Sequence, residues 1–98
     1  NKAKKPQPSR LVGSWHWDGE GIPEVNVFYS DGTYTTKRQG RECGRYSYEF
    51  RGDQLTTIEP KDECNGASGV SVFRVKFNGN SMTLIASSGY VTKWTKLK

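Results

Sequence analysis

The chain has 98 residues, the length of one domain. Hydrophobic residues make up only 33% of it but aromatic residues 12%, and no apolar run approaches the roughly 18–20 residues that a membrane-spanning helix needs. The formal charge of +5 points to nucleic acid only if the excess lies on the folded part.

It does not. Residues 1–10 read Asn-Lys-Ala-Lys-Lys-Pro-Gln-Pro-Ser-Arg, with four basic residues, two prolines and nothing acidic or bulky to bury. Such a segment reads as a flexible basic tail. The start at Asn1 rather than Met is what a trimmed or mature chain would show. Residues 11–98 then hold 11 basic against 10 acidic residues and form one nearly neutral domain.

From Leu11 onward side chains alternate with a period of two, and turn signals recur about every 8–12 residues. Residues 11–17 place Leu11, Gly13, Trp15 and Trp17 on one face. Residues 24–29 form a second strand, ended by the hairpin signal Asp31-Gly32, and residues 33–39 a third. Residues 44–50 put Tyr46, Tyr48 and Phe50 on one face, with Arg45, Ser47 and Glu49 on the other. A turn at Gly52-Asp53 leads into residues 54–59, and a loop around 60–69 into residues 70–77, where Phe73, Val75 and Phe77 align. Asn78-Gly79-Asn80 turns into residues 81–86, with Met82, Leu84 and Ala86 aligned. Ser87-Ser88-Gly89 turns into residues 90–97, with Tyr90, Thr92 and Trp94 aligned.

Eight short strands joined by tight turns, without a helical period, predict an all-β fold. The expected architecture is an eight-stranded antiparallel up-and-down meander barrel, which leaves no exposed edge. A two-sheet sandwich competes, but only the 60–69 loop is long enough for a Greek-key crossover. An eight-stranded barrel is either filled by side chains or just wide enough for one small ligand.

The hairpin about Gly52-Asp53 places Cys43 opposite Asp62, two residues short of Cys64. A Cys43–Cys64 disulfide would clamp the open end of that hairpin and imply an oxidising compartment. Catalytic chemistry is poorly represented. The single histidine, His16, faces away from Trp15 and Trp17, and two cysteines with one histidine at these spacings make no zinc motif. The carboxylates Asp18, Glu20 and Glu24, and again Asp62 and Glu63, fall in or beside turns and read as solvated. No Gly-rich phosphate loop leads into a helix. No enzymatic activity, metal or cofactor is therefore expected. Arg51-Gly52-Asp53 matches a cell-adhesion tripeptide but sits where an ordinary turn is required.

Lys37, Arg38, Arg41 and Arg45 cluster near Tyr34, Tyr46 and Tyr48, interrupted by Glu42. Basic residues among stacking rings suit single-stranded nucleic acid. The neutral domain and the expected disulfide weigh against that partner and favour a solvated hairpin end. Trp15, Trp17, Tyr34, Tyr46, Tyr48, Phe50, Phe73, Phe77, Tyr90 and Trp94 are the candidates for the interior. Arg38 shares the parity of Tyr34, which places it at the barrel mouth as an anion partner.

Leu11-Val12-Gly13-Ser14-Trp15 resembles the Gly-x-Trp opening strand of lipocalins and the wider calycin group. Phe28-Tyr29-Ser30-Asp31-Gly32-Thr33-Tyr34, then Gly44-Arg45-Tyr46 and Gly52-Asp53-Gln54-Leu55, are similar to the repeating strand–turn pattern of small bacterial lipocalin-like domains. The ending Trp94-Thr95-Lys96-Leu97-Lys98 is similar to the last strand of such barrels. The resemblance implies that Lys96 or Lys98 packs on Trp15, and the short chain implies a small interior. Avidin barrels are similar at the same two ends.

The function expected is that of a non-catalytic secreted or periplasmic binding protein, tethered to a membrane at most through its basic tail. It would hold a small, partly aromatic or amphiphilic ligand among Trp15, Trp17, Tyr34, Arg38, Tyr46, Tyr48 and Trp94. The alternative is a protein-interaction module, such as an inhibitor of a secreted enzyme, acting through the loops at 40–45 or 60–69.

Overall fold

The structure, a computed structural model, describes residues 10–17, 19–21, 23–59 and 69–97. Most of the expected basic tail, Asp18, the stretch 60–68 with Asp62, Glu63 and Cys64, and Lys98 lie outside the described residues.

Eight antiparallel strands follow one another around a closed barrel. They are β1 (Gly13–Trp17), β2 (Glu24–Phe28), β3 (Thr33–Arg38), β4 (Arg41–Arg51), β5 (Gln54–Glu59), β6 (Gly69–Asn78), β7 (Ser81–Ala86) and β8 (Val91–Lys96). The pairing of β8 with β1, through Trp15↔Lys96 and His16↔Thr95, closes the sheet on itself and rules out the sandwich. A 3-10 turn, Gly19–Gly21, lies between β1 and β2.

Local chemistry explains the turns. Asp31 Oδ1 accepts hydrogen bonds from the Thr33 hydroxyl at 2.7 Å and the Thr33 amide at 3.0 Å. The Asx-type turn so formed reverses the chain into β3. The Thr33 hydroxyl, foremost, holds the Asp31 carboxyl below the ordinary carboxylate range. Arg51↔Gln54 and Phe50↔Leu55 are cross-strand partners, so Gly52-Asp53 is a two-residue hairpin turn as expected.

Two expectations need correction. β4 begins at Arg41 rather than Gly44, because Gln39 (φ 54°) and Gly40 (φ 81°) already complete a tight turn. Positive φ at both central residues twists the hairpin in the sense the strands require. Residues 41–45 are therefore strand, not a projecting loop. The register shifts between Thr36↔Gly44 and Lys37↔Glu42, leaving Cys43 as the extra residue of a bulge with its side chain fully buried. Tyr90 is not interior. It precedes the first β8 pair, Ile85↔Val91, and stands 54% exposed at the rim.

The interior divides into two halves along the strands. At one end Leu11, Trp15, Phe28, Leu55 and Met82 are almost completely buried. Each such side chain contributes roughly 1.5–3 kcal/mol of transfer free energy. Trp15 and Phe50 both pack against Phe77, with ring centroids 6.1 Å apart in each pair. Phe28 stacks on Tyr34 at 5.0 Å and meets Tyr48 edge-on at 5.1 Å. Toward the other end the inward positions turn polar. Phe28 is followed around that interior by Asn26 and Glu24, Tyr34 by Thr36 and Arg38, Leu55 by Thr57 and Glu59, and Trp94 by Thr92. One half of the barrel is packed and the other is lined.

Candidate functional site

The lined half encloses a cavity of about 310 Å³. It opens where β1, β3, β5 and β7 end and their partners begin, with Trp17, Glu24, Arg38, Glu59 and Tyr90 around the mouth. Phe28, Leu55, Phe73 and Leu84 lie among its lining residues deeper in the barrel.

Trp17 and Trp94 form one wall. Their rings are 5.7 Å apart and inclined at 31°. Trp94 Nε1 donates to Thr92 Oγ1 at 2.9 Å, which satisfies its indole N–H on its own strand. Gly19 fixes the other ring, since a Cβ there would stand 2.5 Å from Cε2, Cζ2 and Nε1 of Trp17. The 3-10 turn can therefore lie directly on the indole only because residue 19 has no side chain.

The lining supplied by β2, β3 and β5 is largely polar. Glu24 and Arg38 are direct cross-strand partners on β2 and β3, and Arg38 Nε lies 3.3 Å from Glu24 Oε1. Arg38 Nε is buried and makes no aligned hydrogen bond, so the contact is an ion pair by proximity. Tyr34 donates to Glu59 Oε2 at 2.6 Å, and Thr36 donates to Asn26 Oδ1 at 2.9 Å. Burial first, and then the Glu59 carboxylate accepting its hydroxyl proton, push the Tyr34 phenol far above its ordinary range. Tyr34 is therefore a fixed donor.

Of the residues expected at the site, the fold brings Trp17, Tyr34, Arg38 and Trp94 to the cavity. Trp15 belongs to the packed end, under Lys96, while Tyr46 and Tyr48 are buried against Tyr34 as core. Sequence reasoning missed Asn26, Thr36, Thr57 and Glu59 as lining residues and read Glu24 as a solvated turn residue. Glu24 instead opens β2 and faces the cavity with its side chain only 18% exposed. Strand parity carried the signal, because Glu24 is in phase with Phe28, and Glu59 with Leu55.

The remaining motifs disperse. The basic cluster splits, Arg38 turning inward while Lys37, Arg41 and Arg45 are exposed. Arg45 lies 4.8 Å over the Tyr29 ring and donates to Thr33 Oγ1 at 3.1 Å. Asp53 of the Arg51-Gly52-Asp53 turn stands 3.8 Å from Arg74, both exposed. No described cysteine is free; Cys64, the expected partner of Cys43, lies outside the described residues. Among the described residues no cluster of three or more His, Cys, Asp or Glu is placed to hold a metal ion. Nor is any described helix long and apolar enough to cross a membrane. A scan against protein-family models, a search of curated proteins and a search of solved structures each found no match.

Proposed function

We propose that the protein is a non-catalytic, lipocalin-like binding protein that takes a small, partly aromatic or amphiphilic ligand into the lined half of its barrel. The carrying observation is the change of lining within one interior. A barrel built only for stability would continue its aromatic core to both ends, since an inward polar group costs free energy unless it finds a partner. Here the open half keeps Glu24, Arg38, Glu59 and Thr92 around the Trp17 and Trp94 indoles and a cavity of about 310 Å³. That volume is at the small end of the roughly 300–1,000 Å³ typical of ligand sites and suits a one-ring molecule.

The lipocalin-like assignment is supported by Lys96, which lies over Trp15 as the Gly-x-Trp resemblance implies. Export to a periplasm or the cell exterior, with a Cys43–Cys64 bridge, is supported by a buried Cys43 and the lack of free described cysteines. Tryptophan fluorescence, titrated with a panel of one-ring amphiphiles, tests the reading. Saturable quenching or a blue shift that disappears in Trp17→Leu is expected. A flat response across the panel would overturn it.

A second reading has its own observation. Ile58 and Val70 are direct partners on the outer wall, 44% and 66% exposed, with Val72 beside them on the same face. An interaction module would use such an apolar wall rather than the 40–45 segment. Under that reading Val70→Lys abolishes association with a protein partner and leaves the cavity response unchanged.

A further inference from the structure

We infer that the cavity selects an organic cation, an amine or ammonium group carried on an aromatic or compact apolar body. This rests on the ligand-binding reading and gives it a substrate class. Two carboxylates, Glu24 and Glu59, and one guanidinium, Arg38, line the cavity, which leaves one formal negative charge among the described lining residues. The distribution matters more than the balance. Arg38 is already engaged with Glu24 at 3.3 Å, whereas Glu59 has no cation paired with it among the described residues. Its described partner is the Tyr34 hydroxyl, a neutral donor at 2.6 Å. A carboxylate has about four acceptor positions, so Tyr34 occupies one and orients the rest.

The apolar walls point to the same class. Trp17, Trp94, Tyr34 and Tyr90 all line the cavity. Aromatic faces attract a cation through the ring quadrupole and gain most where the cation is desolvated, with tryptophan the strongest. Aromatic walls around a carboxylate with no cation partner among the described residues favour an ammonium twice over. The anion expected of Arg38 would have to displace Glu24 and then sit in the field of two carboxylates, which costs more than the exchange returns.

Isothermal titration calorimetry of the full chain with 2-phenylethylamine, 2-phenylethanol and 3-phenylpropionate separates the outcomes at constant ring size. The amine is expected to bind at least about tenfold more tightly than the alcohol, and the carboxylate most weakly. Glu59→Gln should abolish the amine's advantage over the alcohol. Should that variant melt early, Trp17→Leu, at the mouth, should weaken the amine more than the alcohol in a chain with unaltered circular dichroism. Equal or tighter binding of the alcohol or the carboxylate would overturn the cation and leave the cavity reading standing. Failure of all three to bind at millimolar concentration would overturn the cavity reading as well.

Discussion

Lys96 Nζ lies 4.7 Å from the centroid of the Trp15 ring and donates a 2.9 Å hydrogen bond to the Val12 carbonyl. Trp15 in turn donates from Nε1 to the Leu11 carbonyl at 2.8 Å. The space for the lysine comes from Gly13, at φ +132°, where a Cβ would stand 2.6 Å from Lys96 Cε. Glycine, tryptophan and lysine thus form one device across the β1–β8 seam, where Trp15↔Lys96 and His16↔Thr95 pair and the Leu97 amide donates to the Ser14 carbonyl at 2.8 Å. A charge-assisted hydrogen bond with a cation–π contact is worth about 1–3 kcal/mol here. Lys96→Met should lower unfolding free energy in urea by that amount at constant m-value. Gly13→Ala should cost as much or more, because it adds backbone strain to displacement of the lysine. A Lys96→Met chain as stable as the parent would show that the seam is held by its backbone ladder alone.

Tyr48 donates to the Tyr29 carbonyl at 2.6 Å from a buried position. Burial, and then the nearby negative charge of Asp31, push its phenol up to about 12. The folded value therefore exceeds the unfolded value of about 10, so the folded chain holds the proton more tightly. The resulting stability is fully present below about pH 10 and drains away as the pH rises toward about 12. Denaturation midpoints followed from pH 9 to 12 should fall in that window. Tyr48→Phe should fall less steeply there, while being about 0.5–1.5 kcal/mol less stable at neutral pH through loss of the hydrogen bond. Identical slopes for the two chains would remove Tyr48 from the alkaline transition.

The proposed Cys43–Cys64 bridge encloses about twenty residues, including the β4–β5 hairpin. In the loop-entropy model such a closure contributes roughly 3 kcal/mol. Intact mass under denaturing, non-reducing conditions should show a chain lighter by two hydrogens than the reduced one. Reduction should lower the melting temperature, and Cys43→Ser should reproduce the loss without further effect of reductant. Two thiols that alkylate before any reduction would exclude the bridge and withdraw the support it lends to export.

Strand order and the hairpin register were legible because a two-residue period and Gly-containing turns act locally. Gly52-Asp53 alone determines that Phe50 meets Leu55. Gln39-Gly40 was less legible, since Arg-Gln-Gly-Arg is not one of the strong type I′ signals and places a non-glycine residue at positive φ. The cavity was half hidden for a different reason. Binary patterning assumes that apolar residues face inward. In β2 Val25 and Val27 face away from the interior while Asn26 is buried within it, so the pattern reads inverted. Glu24 and Glu59 share that inversion. Aromatic lining residues such as Trp17 and Trp94 were found because a ring looks interior whether it fills a core or borders a cavity. Polar lining residues look like surface until the register is known.

The Trp17–Gly19 contact offers the most selective test of the mouth. Gly19 leaves no room for a methyl group, which would fall 2.5 Å from three atoms of the indole. The Trp17 ring must therefore shift in Gly19→Ala and give up its 5.7 Å placement against Trp94. Trp17 is only partly buried and the packed half of the barrel lies elsewhere, so the cost in stability should stay below about 1 kcal/mol. The emission spectrum should change nonetheless, because two of the three tryptophans form that pair. Affinity for 2-phenylethylamine should fall about tenfold with the melting temperature nearly unchanged. Lys96→Met should do the reverse, lowering stability while leaving affinity intact, since it acts at the opposite end of the barrel. An unchanged spectrum and affinity in Gly19→Ala would mean that the Trp17 indole is not a wall of the binding site.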